Sequence, residues 1–289
     1  MKKTAPLICY MLLQLLSSCN SDSINEEQSI YTIDLSRNNE ITGSDFSTSI
    51  SKTIKLESSS NSIFGSISKI AISNNKIYIF DNFNTQEILV FDIDGKFIHS
   101  LYQIGRGPGE VAYPKDFVID KDGNIHVFDQ IKHSVKVYNS NGNIIDINSL
   151  GCSMKNFSIL LNGNYIGYIG NRSNQYINNT LITNNLVFFN SSNELYNQMY
   201  PLEEDITYYH LGGGLSQNYK NETIFSAPGD YNIYKVFKKE PVPFCRIQLG
   251  KHTLPLKLIE QHKTNYLEFH NRLARKTNYI YYFNQFVTV

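Results

Sequence analysis

The sharpest chemical signal in the chain is the run Gly105-Arg106-Gly107-Pro108-Gly109-Glu110, three glycines around one cation and one carboxylate. It is not a phosphate-cradling loop, because no Gly-Lys-Ser/Thr follows and no helix opens after it. Its spacing does not fit a dinucleotide fingerprint either. Two readings remain. In one, the glycines take positive φ in a tight connecting loop, with Arg106 and Glu110 bracing neighbouring units. In the other, Arg106 stands at the mouth of a ring and binds an anionic or sugar ligand. The residues proposed for ligand contact are Arg106, Glu110, Tyr113 and His210. The last belongs to Tyr208-Tyr209-His210, which Gly212-Gly213-Gly214 follows. This aromatic stretch either stacks on a sugar ring or is a flexible connector.

Other reactive side chains give weaker patterns. Asp81 and Asp129 end two equivalent segments, where a repeated Asp caps turns; a calcium site is the sharper alternative. The histidines at 99, 126, 133, 210, 252, 262 and 270 form no HxH, HExxH or HxxxE pair, and no Gly-x-Ser-x-Gly elbow is present. The sequence therefore names no catalytic residue, no metal ligand set and no cofactor. Cys152 and Cys245 read as two small buried thiols, since nothing in the sequence brings them together.

These residues sit on a repeat. Ile77-Tyr78-Ile79-Phe80-Asp81 returns as Ile125-His126-Val127-Phe128-Asp129, and Val90-Phe91-Asp92 returns as Val137-Tyr138-Asn139, an offset of 47 to 48 residues. Short alternating strands joined by Asp-Gly or Asn-Gly turns at such a period are the mark of propeller blades. The clear copies run from Ile67 to Ser100 and from Tyr113 to Ser149. A degenerate third begins at Phe157 and carries a polar insertion, Asn171 to Asn185. A fourth is formed by Glu222–Ala227, Tyr231–Phe237 and Phe244–Leu249. Ile30–Leu35 and Ser49–Leu56 read as N-terminal strands that complete a last blade. Residues 256–276 change to helical periodicity, and Tyr279–Phe283 and Phe286–Val289 return to strand. The expected fold is all-β, a β-propeller of four-stranded blades. Four copies of about 45 residues use up the length, so a ring of the six-bladed type would be incomplete.

Composition agrees. Of 289 residues 41% are hydrophobic, with 20 Tyr, 17 Phe and zero net charge, so nucleic acid is not an expected partner. At the N-terminus, Lys2 and Lys3 precede a short apolar run ending Leu16-Ser17-Ser18-Cys19. That is an export signal over residues 1–18, too short for a membrane span. Its ending resembles the bacterial lipobox, which implies cleavage before Cys19 and lipidation of its thiol. Residues 19–29 are a polar tether and 30–289 the propeller domain.

Together the repeats, the Gly105–Glu110 loop and the lipobox resemble the six-bladed β-propeller lipoproteins common in Bacteroides and relatives. The matching residues are Gly105–Glu110, Asp120–Gly123 and Ile125–Asp129, and the resemblance spans Ile67 to Val289. It implies an exported binding scaffold held in the cell envelope by a lipid on Cys19. A glycan, a peptide or an envelope protein is the implied partner. The competing expectation is a propeller enzyme, a metal-assisted lyase or hydrolase with an axial site. The resemblance supplies no catalytic residues.

Overall fold

The computed structural model describes residues 30–34, 52–107, 109–202, 213–218, 220–227, 230–237 and 240–255. The signal segment, Cys19, the tether, His210 and the helical and strand expectations beyond residue 255 lie outside them. The chain divides into Met1–Ile30 and Tyr31–Val289, and every strand below belongs to the second unit.

Strand β1 (Tyr31–Asp34) comes first. The first blade is β2 (Lys69–Ser73), β3 (Lys76–Asp81), β4 (Glu87–Asp92) and β5 (Phe97–Ser100), and the second is β6 (Pro114–Ile119), β7 (Ile125–Asp129), β8 (Ser134–Tyr138) and β9 (Ile144–Ser149). The third is β10 (Asn156–Ile159), β11 (Tyr165–Tyr168), β14 (Asn184–Phe189) and β15 (Leu195–Pro201), with β12 (Tyr176–Ile177) and β13 (Thr180–Leu181) forming a small hairpin between its second and third strands. That hairpin is the polar insertion. The fourth is β16 (Gly214–Gln217), β17 (Thr223–Ser226), β18 (Asn232–Val236) and β19 (Pro241–Gln248). Each blade is an antiparallel meander, and the four-stranded sheets succeed one another as in a β-propeller.

Two local expectations need correction. The fourth blade begins earlier than Glu222: Gly214, expected in a loop, opens its inner strand, because Gly214–Gln217 pairs with Thr223–Ser226. Of the N-terminal pieces, β1 does join the last described blade, as a fifth strand running parallel along β19. Residues 52–56 form no ladder, although Lys52 bonds Asp94 at 3.1 Å and the Glu57 N–H donates to the Gly95 carbonyl at 2.7 Å. Gly95 accommodates this approach. Its φ is +90°, and a Cβ there would lie 2.2 Å from the Lys55 carbonyl oxygen.

The turns explain why the repeat weakens along the sequence without weakening in space. In the Asp92, Asp120, Asn139, Asn190 and Asn218 turns one side-chain oxygen accepts the N–H groups two and four residues on. The fourth residue must enter left-handed space. Gly95, Gly123 and Gly142 do so in the clear copies, and Asn193 (φ 62°) and Asn221 (φ 58°) do so in the degenerate ones.

The core lies in the seams between blades. Middle strands β3, β4, β7, β8 and β11 are buried on both faces, so they read as nearly continuous apolar runs. Aromatic rings bridge successive seams: Phe80 meets Phe117 edge-on at 6.0 Å, Phe128 meets Phe157 at 6.0 Å, and Tyr168 meets Phe225 at 5.9 Å. Cys152 and Cys245 are both free and buried, and they belong to different clusters. Burial pushes the Cys152 thiol up to about 12.

Candidate functional site

The glycine-rich loop joins the first blade to the second and is tied largely to itself. Gly105 N–H donates to Val111 O at 3.0 Å, Val111 N–H to Gln103 O at 3.0 Å, and Glu110 N–H to Gly107 O at 3.2 Å. The Glu110 carboxylate folds back to accept the Gly107 N–H at 2.7 Å. Glycine is needed for this inward turn, because a Cβ at Gly105 would fall 2.0 Å from the Glu110 oxygen. Glu110 therefore braces its own loop rather than a neighbouring blade. The link to the second blade comes from elsewhere: Lys132 Nζ donates to Arg106 O at 2.7 Å, and Tyr138 Oη to Gly109 O at 3.0 Å. The Arg106 side chain is exposed.

Immediately after the loop, the chain is clamped by Asp129. This buried carboxylate accepts the N–H groups of Ala112 (2.8 Å), Tyr113 (3.3 Å), Ile131 (3.1 Å) and Lys132 (3.2 Å), and the ammonium of buried Lys136 at 2.8 Å. In the preceding blade Asp81 has the same role, accepting from Gly65, Ser66, Phe83 and Asn84. The repeated Asp is thus a double clasp, holding the turn after its own strand and the segment that enters its blade. Burial alone would raise both carboxyls, but the hydrogen bonds outweigh it and hold them below the usual range.

Glu110 also lines a groove of about 980 Å³. The groove lies between the outer edge of the first blade (Phe97, Ser100) and the start of β9 (Ile144), rather than on the ring axis, and neither Arg106 nor Tyr113 lines it. Its polar lining includes Glu87, Glu110, Gln103 and Thr85, and the buried rings of Tyr102 and Tyr138, which also line it, lie 6.0 Å apart. Two features set it apart from ordinary surface. The Thr85 hydroxyl is buried without a hydrogen-bond partner, and burial raises the Glu87 carboxyl pKa. Tyr102 and Tyr138 stay protonated, both raised first by burial, Tyr102 further by Tyr138 and Glu87. The wall is acidic and hydroxyl-rich, suited to hydroxyl donors or cations and repellent to anions.

Toward the axis, residues near the start of the inner strands form a chain across blades. Lys69 donates to Asp116 at 2.8 Å, Asp116 accepts Phe157 N–H at 3.3 Å, and Asn156 accepts Leu215 N–H at 3.1 Å. Lys69, Asp116, Asn156 and Gly214 hold equivalent register positions.

The opposite end of the blades carries a constellation that no sequence motif marks. His126 places Nε2 3.1 Å from Asp120 and Nδ1 2.8 Å from the Tyr165 hydroxyl, across the second seam. Because the carboxylate only accepts, Nε2 carries a proton directed at Asp120. Burial works to raise the Asp120 carboxyl, yet bonds from His126 and Asn124 hold it well below the usual range. Tyr165 is 5% exposed, while Asp120 and His126 line a small cavity of about 120 Å³, and the chain ties the second blade to the third. The legible signal was register: His126 stands where later copies have Ile166 and Ile224. Among the described residues no cluster of three or more His, Cys, Asp or Glu is placed to hold a metal ion, and no helix is long and apolar enough to cross a membrane.

Four-stranded blades in succession, with grooves at their junctions, define a β-propeller. Residues 30–288 match the family described as "Domain of unknown function (DUF4934)", and the chain belongs to that family. Among solved structures it is similar to a Bacteroides fragilis protein that carries the name of an exported protein, at 20% identity and a TM-score of 0.68, over 86% of this chain and 69% of that one. A member of the DUF4221 family from Bacteroides vulgatus is 14% identical with a TM-score of 0.43, covering 66% and 60% of the two chains. Virginiamycin B lyase from Staphylococcus aureus is 14% identical with a TM-score of 0.40, covering 61% and 54%. No curated protein matches the chain.

Proposed function

We propose that this chain is an exported, lipid-anchored propeller that binds a glycan in the groove between its first two blades. The observation that carries the reading is the groove's wall. Glu87, Glu110, Thr85 and the two tyrosines all line the groove, and none of the described lining residues is a cation that would attract an acidic ligand. Carboxylates that accept sugar hydroxyls, in a groove without a cation among its described lining, match neutral saccharide chemistry. The Asp120–His126–Tyr165 chain borders a cavity of only about 120 Å³, small beside pockets that hold substrate-sized ligands, and does not favour turnover over binding.

The test is a melting-shift screen of neutral oligosaccharides, with Lys-rich peptides as the competing arm, followed by calorimetry on Glu87→Ala. A saccharide that stabilises the chain should bind Glu87→Ala about tenfold more weakly or worse, with the fold intact by circular dichroism. Equal binding by Glu87→Ala, or stabilisation by basic peptides alone, would remove the glycan reading.

The anchor rests on the sequence. Cys19→Ser should move the protein from the membrane fraction to the soluble fraction and abolish incorporation of a labelled fatty acid. Retention in membranes without label would show that something else holds it there.

A further inference from the structure

The seam between the second and third blades carries three cations, two at the start of inner strands and one in the loop after β11. Lys115 is the extra residue of a β-bulge: Pro114 pairs with Asp129 and Asp116 with Phe128, leaving Lys115 unpaired on the ladder. A bulge re-aims the side chain it carries. Lys155 stands in the matching place of the next blade, directly before Asn156 as Lys115 stands before Asp116. Arg172 arrives from the loop after β11. Gly170 (φ 69°) and Asn171 (φ 60°) are both left-handed, and the Asn171 N–H is held by Asn185 Oδ1 at 2.7 Å, which turns this loop back over the seam.

These groups are packed together. The Arg172 guanidinium donates to Ser153 Oγ and to the Gln130 amide oxygen at 2.9 Å, while the Gln130 nitrogen donates to Met154 O at 2.8 Å. A Cβ on Gly170 would meet Lys155 Cβ at 3.1 Å, so the same loop lies on the Lys155 stem. The Lys155 ammonium sits 5.8 Å from the centre of the Tyr168 ring. The neighbouring carboxylate, Asp116, is already engaged by Lys69 (2.8 Å) and by the Phe117 (2.8 Å) and Phe157 (3.3 Å) N–H groups. Among the described residues neither Lys115 nor Arg172 forms an ion pair. The crowding is felt electrostatically: burial, then the neighbouring cations, lower the pKa of Lys155, and burial, then Arg172, lower that of Lys115.

We propose that this seam is an oxyanion site, with Lys115, Lys155 and Arg172 receiving a sulfate, phosphate or carboxylate group of a ligand. A guanidinium held by Ser153 and Gln130, with Lys115 and Lys155 on the same seam, suits an anion of charge two better than a neutral group. The site stands apart from the acidic groove and does not depend on the glycan reading.

The experiment compares melting of the full chain in sodium sulfate and in sodium chloride at equal ionic strength, and with a sulfated disaccharide. The same series is then run on Lys115→Gln, Arg172→Gln, their double variant and the groove variant Glu87→Ala. Sulfate should raise the melting temperature beyond chloride for the native chain and for Glu87→Ala. Each cation removed should weaken sulfate about tenfold, and the double variant should lose the shift. Stabilisation by the disaccharide but not by free sulfate, lost in the same variants, identifies the oxyanion as a group on a larger ligand. Sulfate and chloride acting alike with no effect of the disaccharide, or a shift retained in the double variant, overturns the proposal. Where the double variant fails to fold, Lys115→Gln alone decides, since its side chain makes no ion pair to lose.

Discussion

Asp129→Ala should lower the folding free energy by about 4 kcal/mol and the melting temperature by roughly 10 °C. Asp129 is wholly buried and satisfies four backbone N–H groups and one ammonium, so its loss orphans five donors at once. The largest share comes from Lys136, which is 2% exposed and would be left charged without a partner. Lys136→Met should cost much less, because Asp129 keeps its four backbone donors. Adding Lys136→Met to Asp129→Ala should recover some of the loss. The effect also reaches the glycine-rich loop, since two of the orphaned groups, Ala112 and Tyr113, follow it directly. Urea melts of the three variants decide the matter: if Asp129→Ala and Lys136→Met cost the same and add independently, the clasp does not act as a unit.

The second large effect is acid sensitivity. Asp81, Asp120 and Asp129 all have carboxyl pKa values held below the ordinary 3.8. In each case burial pushes upward and hydrogen bonds to the charged form push downward further. A carboxyl whose pKa is lower folded than unfolded contributes stability that is fully present above its unfolded value. That contribution is lost as pH falls toward the folded value. Stability should therefore hold at neutral pH and fall from about pH 5 downward, by on the order of 3–5 kcal/mol for the three groups together. Asp81→Asn cannot titrate, so its stability should be lower at pH 7 and change less between pH 5 and pH 3 than the native chain's. Parallel acid profiles for the native protein and Asp81→Asn would show that these carboxylates do not carry the dependence.

Much of the fold was legible because propeller architecture is written in local chemistry. Alternating strands and Asp-x-x-Gly turns are short-range features, and the clear copies carry them as Asp92–Gly95 and Asp120–Gly123. The degenerate copies hide them only because Asn193 and Asn221 do with asparagine what Gly95 and Gly123 do with glycine. Gly214 was harder. A glycine run beside aromatic residues suggests a connector, and only pairing with β17 makes it an inner strand.

By itself the sequence determined that the chain is all-β, that its repeat recurs at 47 to 48 residues, that equivalent strands end in Asp, and that a glycine-rich loop joins the first two clear blades. At its N-terminus it places Lys2 and Lys3 before an apolar run that ends Leu16-Ser17-Ser18-Cys19. Tertiary structure alone decided what those residues touch. Lys136 reads as the polar residue of an alternating strand, yet it lies buried and becomes the partner of Asp129. Glu110 faces its own loop, because the glycines leave room for its carboxylate. His126, without a motif partner, finds Tyr165 39 positions along the chain. Lys115 and Lys155 precede equivalent positions of successive copies, Asp116 and Asn156, but nothing in the sequence ties Arg172 to them; a bulge and a left-handed turn bring the three segments to one seam. Spacing along a chain encodes backbone period; which side chains meet across a seam depends on blade packing, where the partners are distant in sequence and the period carries no record of them.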